Sequence, residues 1–468
     1  MTSGPRTPPL DLLGVGAGPF NLSLAALADG VPGLRSAFHE QRAAFHWHPG
    51  LLIEGATLQV PFLADLVSLV EPTSPWCYLN YLKTRRRLFP FYFAERFHIH
   101  RTEFDNYLRW VSTELPSTHF GHRVDAIAWD AGAGAFAVDF TRLGPDGEAL
   151  GPDGKALGGG LTHARNLALG VGTAPHIPEP LRDLAADPEP LVLHSADYLT
   201  QRDRLLAARH ITVVGSGQSG AEVLLDLLRS RPEGAEGLTW LARTPAFAPM
   251  EYSKIGLEQF TPDYTRYFHG LPQATRDRLL PSQWQLYKGV SGDTLGDIHD
   301  ELYRRSLGGQ WPDVTLTPGI EVTGASVTGR GRIELTVEHG QQEARGGLTT
   351  DAVVLATGYR ERPVDGLLAA LDPYIVRDDA GRPQVDEAQR LVLATEIDGS
   401  VFVQNAERHT HGVGAPDLGL AAWRSAVIIN ALTGKETYPL PERTAFTTFG
   451  LGADDRSGVP GRTAEERR

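Results

Sequence analysis

Residues 11–28 read DLLGVGAGPFNLSLAALA, and this stretch decides the fold. A short apolar run leads directly into three glycines at alternate positions, and apolar residues then recur at the spacing of a helix. The pattern predicts a buried strand, a tight turn and a helix. Because glycine has no β-carbon, such a turn can adopt positive φ and lets a diphosphate reach the amides at the positive end of the helix. The stretch therefore indicates a dinucleotide-binding site built on Gly14, Gly16 and Gly18.

A second copy of this pattern lies further along the chain, where residues 211–225 read ITVVGSGQSGAEVLL. It matches the strict G-x-G-x-x-G spacing, whereas the first copy has Pro19 at the place of the third glycine. The glycines of the second copy are Gly215, Gly217 and Gly220. One glycine pattern is weak evidence, since many glycine-rich turns bind nothing. Two copies, each between an apolar strand and an apolar helix, predict an α/β protein with two Rossmann-like domains.

The residue that ends the second strand of each unit distinguishes the two cofactors. After the first clamp, residues 14–21, the next predicted strand ends at Glu40, a carboxylate suited to a ribose diol. After the second clamp, residues 215–222, the corresponding strand ends at Arg243, a cation suited to a 2′-phosphate. An ordinary surface arginine is the alternative at position 243. The working interpretation is FAD at the first clamp and NADPH at the second.

Composition and charge narrow the classes of function. The chain has 468 residues, too many for one core, and its net charge of −13 argues against nucleic acid or an anionic membrane as a partner. Cys77 is the single cysteine, so an internal disulfide and a CxxC redox pair are excluded. The N-terminus lacks a basic segment followed by an apolar core, and no apolar run reaches membrane-spanning length. We therefore expect a cytoplasmic protein.

Turn-rich segments predict where the domains divide. A proline-rich linker, GTAPHIPEP, follows the predicted closing strand of the first unit. We expect an FAD-binding domain at residues 11–178 and 348–450 and an NADPH-binding domain at residues 205–347. The second domain would carry a smaller, partly helical substrate-binding insertion at about residues 249–307. Residues 451–468 are predicted to be a disordered tail.

Two further segments are predicted to lie on the surface. Residues 144–160 are a tandem repeat of turn formers and predict an exposed hairpin insertion without chemistry. Residues 80–97 carry Lys83 and three consecutive arginines. They predict a basic amphipathic turn, whose expected role is a solvated face.

The chain resembles a known family over residues 11 to about 434. Six segments carry the resemblance, and together they are far more specific than either glycine pattern. They are GVGAGPFN (residues 14–21), WHPG (47–50), LQVPFLADLVSLVEPTSP (58–75), GSGQSGAE (215–222), ATGYR (356–360) and HTHG (409–412). The set is similar to the flavin-dependent N-hydroxylating monooxygenases of siderophore biosynthesis, which act on the terminal amine of ornithine, lysine or a diamine. The branch it resembles most hydroxylates putrescine or cadaverine.

The resemblance implies which residues hold the cofactors, and Pro19 is the family's own form of the first clamp. The implied FAD contacts are Gly14, Gly16, Gly18, Pro19, Asn21, Glu40, Trp47, His48, Gln59, Val124 and Leu418, with Leu418 over the ring. The implied NADPH contacts are Gly215, Ser216, Gly217, Gln218, Ser219 and Arg243. Three further cofactor contacts are implied at Thr357, Gly358 and Tyr359. Gln59 and Ser216 are also implied to act at the catalytic centre.

By the same resemblance, NADPH reduces FAD, O2 adds at the flavin C4a atom, and the resulting hydroperoxide transfers its distal oxygen to the amine. The flavin carries this chemistry, while the protein positions the reactants and excludes water. We therefore expect no acid–base dyad and no metal. Four histidines could suggest a metal cluster, but no carboxylate or cysteine joins them at ligand spacing. We interpret them as hydrogen-bonding or structural groups: His46, His48, His409 and His411.

The substrate amine must be neutral to react, which for a lysine-like pKa of about 10.4 costs roughly 4 kcal/mol near pH 7.5. A carboxylate beside the reacting nitrogen would raise that cost, so acidic residues should hold the far end of the substrate. Ornithine-hydroxylating relatives grip the amino-acid carboxylate with a lysine where this chain has Ala64, and with an Asn-Tyr-Ser segment where residues 289–292 read GVSG. We therefore expect a diamine, with its far ammonium held by Glu251 or Asp293. Replacement of the missing lysine by Lys254 is the alternative.

Other functions stay open. Hydroxylation of L-lysine at N6 or of L-ornithine at N5 is the nearest alternative. A carbon-oxidising or Baeyer–Villiger flavoprotein is less favoured, because the Phe-x-Gly-x3-His signature is reduced to a fragment at residues 192–195. A non-catalytic flavin-binding or redox-sensing protein would leave the second site without a purpose. The expected partners are a small amine, O2 and further copies of the chain in a homo-oligomer.

Overall fold

The structure is a computed structural model that describes residues 8–149 and 155–451. The predicted disordered tail lies outside the described residues from position 452 onward. Within these ranges, two parallel sheets are covered by helices, so the predicted α/β class is confirmed. No helix in the described ranges is both long enough and apolar enough to cross a bilayer.

The described ranges contain eighteen strands and twelve α-helices. The strands are β1 (Leu12–Val15), β2 (Ser36–Glu40), β3 (Thr118–Phe120), β4 (His122–Asp130), β5 (Ala135–Arg142), β6 (Gly159–Ala164), β7 (Leu167–Leu169), β8 (Thr173–Pro175), β9 (Leu191–His194), β10 (Ile211–Val214), β11 (Leu238–Ala242), β12 (Val314–Pro318), β13 (Ile320–Val327), β14 (Ile333–His339), β15 (Ala344–Thr350), β16 (Ala352–Leu355), β17 (Tyr359–Glu361) and β18 (Val401–Val403). The helices are α1 (Pro19–Asp29), α2 (Tyr78–Thr84), α3 (Leu88–Ala94), α4 (Arg101–Glu114), α5 (Arg182–Ala186), α6 (Tyr198–Ala207), α7 (Gln218–Ser230), α8 (Pro262–His269), α9 (Gln273–Ser282), α10 (Gly292–Ser306), α11 (Arg408–His411) and α12 (Ala421–Thr433).

The first sheet has the strand order β18-β7-β1-β2-β3, and every neighbouring pair is parallel. Strand β1 is buried along its whole length because helices cover it. Helices α1 and α12 pack against each other on this sheet, and their leucine, alanine and isoleucine side chains join one core. This unit carries the first clamp at the carboxyl end of its central strand.

The second sheet has the order β12-β11-β10-β16-β9 and is also parallel throughout. Helix α7 follows the central strand β10 and buries a continuous leucine face against the sheet. The second clamp lies between β10 and α7. Both clamps thus occupy equivalent places, at the carboxyl end of a central parallel strand, where open α/β sheets bind their ligands.

The strand pairing places the domain boundaries at residues that differ from the predicted ones. Strand β16 pairs with β10 and β9, so residues 352–355 belong to the second unit and not to the FAD-binding domain. Strand β9 also lies in the second sheet, so this unit begins before residue 205. The prediction was wrong because β16 is an apolar strand that either sheet could bury, and its partner is set by pairing across more than a hundred residues.

The chain crosses between the two units at β8 and β17, which pair with each other in antiparallel fashion. The predicted helical insertion, residues 249–307, also contacts both units. Asp263 of α8 accepts hydrogen bonds from the backbone N–H groups of Thr444 and Ala445, and Asp277 of α9 pairs with Arg382 at 2.8 Å. The insertion therefore bridges the second unit and the carboxyl-terminal part of the chain.

The two predicted surface segments have different outcomes. Strands β5 and β6 form the predicted hairpin, and residues 150–154 lie outside the described residues. The basic amphipathic turn predicted at residues 80–97 is wrong in its local structure, since the chain there forms most of α2 and all of α3. The clustered arginines concealed the helical pattern on either side of them.

Candidate active site

The first clamp is formed where β1 ends and α1 begins. A Cβ added to Gly14 would lie 2.0 Å from the Phe38 ring, and one added to Gly16, whose φ is +87°, would lie 2.5 Å from the Gly170 carbonyl oxygen. Close packing of the backbone therefore requires both glycines. A Cβ on Gly18 would meet nothing within 4 Å. Gly18 thus borders open space at the N-terminus of α1.

The first turn of α1 suits an anionic ligand. Gly18 is the N-cap residue and offers no side-chain cap, and Pro19 occupies the first helical turn. Proline is favoured there because its φ is already helical and its missing N–H would have had no partner inside the helix. The remaining N–H groups at this end can serve a diphosphate.

The side chain of Asn21 ties the first clamp to the sheet. Its Nδ2 donates to the carbonyl oxygens of Gly16 at 2.7 Å and Ala168 at 3.2 Å, and its Oδ1 accepts from Gln404 Nε2 at 2.7 Å. The side chain is buried and holds together the ends of three strands. Direct contact between Asn21 and FAD stays a prediction.

Glu40 ends β2 and lies against the first clamp, while its contact with FAD stays a prediction. Its Oε2 accepts a hydrogen bond from the N–H of Ala17 at 2.9 Å, and its Oε1 accepts one from the N–H of Arg42 at 2.9 Å. A carboxylate in this place can accept hydrogen bonds from a ribose diol.

The second clamp is also fixed by its glycines. A Cβ on Gly215, whose φ is +133°, would lie 2.1 Å from the Ala356 carbonyl oxygen, and one on Gly220 would lie 2.4 Å from the carbonyl oxygen of Gly215. Gly217 caps α7 and, like Gly18, offers no side-chain cap. Two half-buried hydroxyls beside the clamp have no hydrogen-bond partner in the described part of the chain: Ser216 and Ser219.

The side chain of Gln218 is engaged by other protein groups. Its Nε2 donates to Glu222 Oε1 at 2.8 Å and to Thr294 Oγ1 at 3.0 Å, and its Oε1 accepts from the N–H of Ser291 at 2.8 Å. This amide therefore connects α7 to the start of α10. A contact between Gln218 and NADPH stays a prediction.

Two cations stand beside the second clamp. Arg243 follows β11, is 78% exposed in its side chain, and has its nearest carboxylate, Glu321, at 3.7 Å. Desolvation and the charges of Arg408 and Arg243 lower the pKa of Lys288. Lys288 was not predicted, and its only signal in the sequence is its place next to the GVSG segment. Such a pair of cations suits the phosphates of a nucleotide.

Three aromatic side chains line the joint between the units. The ring of His48 lies 5.6 Å from that of Tyr359, and the Tyr359 ring lies 5.1 Å from that of His194. Desolvation by neighbouring protein groups, together with the charges of Arg101 and Arg42, lowers the pKa of His48 to about 4. Burial raises the pKa of Tyr359 to about 12, and its hydroxyl has no partner among the described residues. The side chains of His48 and Tyr359 are thus neutral near pH 7.

An ion pair crosses the same joint and was not predicted. Arg101, at the start of α4, pairs with Glu222 of α7 at 2.6 Å, and their side chains are only 13% and 7% exposed. Glu222 also accepts from Gln218. The pair therefore connects the first unit to the helix of the second clamp. Sequence could show that Glu222 ends the GSGQSGAE segment but not what it would contact.

The remaining motif residues surround this joint. Trp47 donates its backbone N–H to Asp105 at 2.7 Å and packs its ring 5.2 Å from Phe104. Thr357 donates its hydroxyl to a backbone carbonyl, and the Gly358 carbonyl accepts from His194 Nε2 at 3.0 Å. Val124 lies in β4 and packs on the core of the first unit. Their cofactor contacts stay predictions.

Gln59 and Leu418 are two of the residues implied to meet the flavin. Gln59 is half-buried, and its Nε2 is a buried donor without a partner in the described part of the chain. Leu418 packs against the core of the first unit. The neighbouring carboxylate of Asp417 accepts from the N–H of Gly419 at 2.7 Å, and burial raises its pKa to about 6. Asp417 was missed, although its place in a Pro-Asp-Leu-Gly turn marks it as a capping residue.

The predicted substrate residues lie in different environments. Ala64 lies in the segment FLADLV (residues 62–67), and the others lie in the insertion. Ala64 is 6% exposed, and the adjacent Asp65 accepts from the N–H groups of Val67 and Tyr78, so this loop is packed by its own carboxylate. Asp293 is exposed in the first turn of α10 and contributes to the raised pKa of Tyr252.

Glu251 and Lys254 are exposed in the loop that leads into the insertion. A backbone bridge between Pro249 and Val290 brings this loop beside the start of α10, so Glu251 and Asp293 lie in the same region. The carboxylate of Glu251 accepts from the N–H of Ser253. The structure does not enclose either carboxylate, and their role with substrate stays a prediction.

The histidines of the HTHG motif join α11 to the insertion. His409 Nε2 donates to the Pro383 carbonyl at 2.8 Å, and the ring of His411 lies 5.1 Å from that of His269. Burial lowers the pKa of both His409 and His411. Across residues 8–149 and 155–451 there is no group of three His, Cys, Asp or Glu residues that could hold a metal.

Sequence comparison identifies relatives along almost the whole chain. A profile described as L-lysine 6-monooxygenase/L-ornithine 5-monooxygenase matches residues 8–361. The rhizobactin siderophore biosynthesis protein RhbE of Rhizobium meliloti is 41% identical over 94% of this chain and 95% of that protein. A putrescine N-hydroxylase of Shewanella oneidensis is 38% identical over 94% of this chain and 84% of that protein.

Solved structures share the fold. The FAD-bound cadaverine monooxygenase DfoA, of the desferrioxamine biosynthetic pathway in Erwinia amylovora, superposes with a TM-score of 0.87 at 36% identity, over 96% of this chain and 100% of that chain. An ornithine N-hydroxylase of Kutzneria sp. 744, with reduced FAD, NADP+ and L-ornithine, gives 0.82 at 28% identity, over 91% and 99%. The predicted resemblance is confirmed, and the chain belongs to the L-lysine 6-monooxygenase/L-ornithine 5-monooxygenase family.

Proposed function

We propose that the protein is an FAD- and NADPH-dependent monooxygenase that N-hydroxylates a terminal primary amine of an aliphatic diamine, cadaverine or putrescine, for hydroxamate siderophore biosynthesis. The observation that carries the proposal is the pair of unlike clamps, one in each unit. Glu40 lies against the first clamp, and Arg243 and Lys288 lie beside the second. A carboxylate for a ribose and cations for a phosphate are the partners that FAD and NADPH need.

The residues present fit both cofactors. Gly18 borders open space at the N-terminus of α1 and would admit the FAD diphosphate, with Glu40 at the ribose. The unpartnered Nε2 of Gln59 is a donor for a flavin acceptor atom. The phosphates of NADPH would be held by Arg243 and Lys288. Open space, an orphaned donor and matched charges together support this assignment.

When bound and reduced by NADPH, the flavin supplies the activated oxygen that the amine receives. The protein keeps acidic protons away from that amine. The lowered pKa values of His48 and His194 and the raised pKa of Tyr359 leave all three groups neutral at pH 7.5. A neutral lining avoids adding to the roughly 4 kcal/mol that deprotonation of the amine already costs at this pH.

The choice of a diamine rests on the absence of a cation at position 64. Ala64 offers only a methyl group where an amino-acid carboxylate would need a lysine. Three carboxylates are candidates for the ammonium at the far end: Glu251, Asp293 and Asp417. Relatives that are named for putrescine and cadaverine support the same choice.

The experiment is a panel of cadaverine, putrescine, L-lysine and L-ornithine, with added FAD and NADPH and with the hydroxylated product quantified. Product must be measured because NADPH oxidation also reports uncoupled release of peroxide. We expect at least tenfold more product from one of the diamines than from either amino acid. Preferential hydroxylation of lysine or ornithine would reject the diamine.

The second candidate is hydroxylation of L-lysine or L-ornithine, which Lys254 could support. Lys254 is exposed near Glu251 and has no ion-pair partner in the described ranges. If it binds the amino-acid carboxylate, Lys254→Gln will abolish product from lysine or ornithine and leave diamine turnover unchanged. We also propose a cytoplasmic location, where NADPH is supplied and where a single buried thiol, Cys77, stays reduced.

A further inference from the structure

A buried ion pair lies beside the first clamp, between α12 and the residue that precedes α11. The side chains of Arg424 in α12 and Glu407 are only 2% and 0% exposed, and Arg424 Nη1 lies 3.3 Å from Glu407 Oε1. Taking two charges out of water is costly, and a buried pair recovers that cost only when further hydrogen bonds satisfy it. The rest of α12 is mostly apolar, so an apolar side chain would suit position 424 as far as packing is concerned. The charge there needs another reason.

Arg424 holds the connection between α11 and α12, residues 412–420. Its Nη2 donates to the carbonyl oxygen of Ala415 at 2.7 Å and to that of Gly414 at 3.1 Å. The connection consists largely of two short 3₁₀ turns, and both of these residues are buried. Buried carbonyl groups need hydrogen-bond donors, and one planar guanidinium supplies several in a fixed geometry. Arg424 therefore fixes the path of the backbone in this connection.

The same stretch of α12 also holds the helix of the first clamp. The guanidinium carbon of Arg424 lies 5.0 Å from the centroid of the Phe20 ring, and Phe20 follows Pro19 in the first turn of α1. A guanidinium over an aromatic face is attracted to it. The adjacent Ser425 forms a buried hydrogen bond with Ser23 of α1, with 3.0 Å between the two hydroxyl oxygens. The first clamp and the connection are thus held by neighbouring residues of one helix.

These contacts reach the segments that are predicted to meet flavin and substrate. Ser23 donates its hydroxyl to the carbonyl oxygen of Leu66 at 2.6 Å, within the segment FLADLV. Leu418 of the connection packs on the same core as Val60, the neighbour of Gln59. A change at Arg424 would therefore move backbone that carries these side chains.

We propose that Arg424, with Glu407 as its counter-ion, is a positioning residue for N-hydroxylation, and the inference rests on that proposed function. It would hold residues 412–420 against the first clamp and so keep water out of the flavin site. The two electrons of NADPH reduce O2 in either case. With amine in place, one oxygen atom enters the hydroxylamine and the other leaves as water, whereas without transfer both leave as hydrogen peroxide. Because a closed site suppresses such side reactions, Arg424 should control the amount of product formed per NADPH.

The test compares Arg424→Met with a matched control, Arg305→Met, in FAD-loaded protein. Arg305 is also buried, pairs with Glu236 at 2.9 Å and donates to the carbonyl oxygen of Arg231 at 3.2 Å, but it lies at the end of α10 in the second unit. NADPH consumption, hydroxylated cadaverine and putrescine, and hydrogen peroxide are measured together. Arg424→Met should lower the product per NADPH at least fivefold, with peroxide rising to match, and should change anaerobic flavin reduction less than twofold. Arg305→Met should keep the wild-type ratio.

Visible circular dichroism of the bound flavin gives a second measure that does not depend on turnover. Arg424→Met should change the flavin bands, and Arg305→Met should not. If Arg424→Met does not retain FAD, Arg424→Lys takes its place, because it keeps the charge and a donor for one carbonyl, and it should lower the product per NADPH about twofold.

A wild-type ratio in the Arg424 variants, or an equal loss in Arg305→Met, would overturn the proposal. Loss of FAD from both Arg424 variants would also overturn it, since Arg424 would then support FAD binding and not positioning. A wild type that hydroxylates no amine would reject the proposed function instead. The flavin spectra would in that case still decide whether Arg424 positions the site.

Discussion

The two clamps share one pattern of strand, glycine turn and helix, yet they are held in different ways. The first is fixed by contacts within its own unit, where Asn21 binds the ends of three strands and Glu40 accepts from Ala17. The second is fixed partly from outside, because Gln218 and Glu222 bond to α10 and to Arg101 of the first unit. The geometry of the first clamp is thus fixed within one unit. The second depends on how the two units are oriented.

The difference has a functional meaning for a reaction with two nucleotides. A flavin site that is complete within one unit can hold FAD whatever the orientation of the two units. NADPH must bring its reducing end to the flavin, which requires the second clamp to be positioned relative to the first. The ion pair of Arg101 with Glu222 is a polar contact that couples α7 to the first unit.

The largest effect is expected from a Cβ in the first clamp. Gly14→Ala would force its methyl group to 2.0 Å from the Phe38 ring, so the apo protein should lose about 1–3 kcal/mol of stability and retain little FAD. Gly18→Ala is the matched control, because its Cβ faces open space. It should keep the melting temperature of the apo protein and weaken only FAD binding. Equal loss of apo stability in both variants would contradict this division of roles.

The second largest effect is expected when the ion pair between the two units, Arg101 with Glu222, is removed. Arg101→Gln should slow anaerobic reduction of the flavin by NADPH at least tenfold while changing the NADP+ dissociation constant less than threefold, because binding groups remain but their orientation is lost. Stopped-flow absorbance and calorimetry measure the two quantities. Arg229→Gln, which breaks the exposed pair with Asp297, is the control on the same helix. If Arg101→Gln weakened NADP+ binding as much as it slowed reduction, Arg101 would not be a positioning residue.

A smaller effect should distinguish the charges at the second clamp. Arg243→Gln should weaken NADPH binding about tenfold and leave NADH binding unchanged, since NADH lacks the 2′-phosphate. Lys288→Gln should act in the same direction if its ammonium faces the same nucleotide. Fluorescence titration with both nucleotides measures this, with the exposed Arg345→Gln as the control. An equal loss for NADH and NADPH at Arg243 would remove the basis for the coenzyme preference.

The smallest effect is the dependence of the stability of the first unit on pH. Burial, with His122 and His119 nearby, lowers the pKa of His39 in β2 to about 4, whereas an unfolded histidine titrates near 6.5. The unfolded state therefore binds more protons below pH 6.5, and stability that is present at pH 7.5 is lost as the pH falls toward 4. Between pH 7.5 and 5.5, protonation of His39 in the unfolded state should lower the free energy of unfolding by about 1 kcal/mol. His39→Phe should flatten this part of the stability curve, and an unchanged slope would contradict the assignment.

Local patterns were enough to predict the clamps, while long-range contacts were not predictable. Gly14, Gly16 and Gly215 were identified because the turn itself requires glycine, and Glu40 because a parallel strand carries it to the first clamp. Strand β16 was assigned to the wrong sheet, since its apolar sequence suits either one. The same limit applies to charge pairs. Nothing in the sequence around Arg101 shows that it meets Glu222, which lies 121 residues away.

The substrate region was the least predictable part of the site. Glu251 and Asp293 were identified as isolated acids, and the structure leaves both exposed in one region of the insertion. Asp417 was missed because its environment, not its sequence, raises its pKa to about 6. Burial and desolvation arise from packing between distant segments, so a sequence pattern cannot report them.

A direct competition between amines tests whether the two clamps serve N-hydroxylation of a diamine. The FAD-loaded protein is given NADPH, O2 and equal concentrations of cadaverine, putrescine, L-lysine and L-ornithine in one vessel, and the hydroxylamine products are quantified by mass spectrometry. The structure predicts that hydroxylated cadaverine or putrescine exceeds both amino-acid products at least tenfold. A product mixture dominated by hydroxylated lysine or ornithine, or the absence of any hydroxylamine while NADPH is consumed, would contradict the claim.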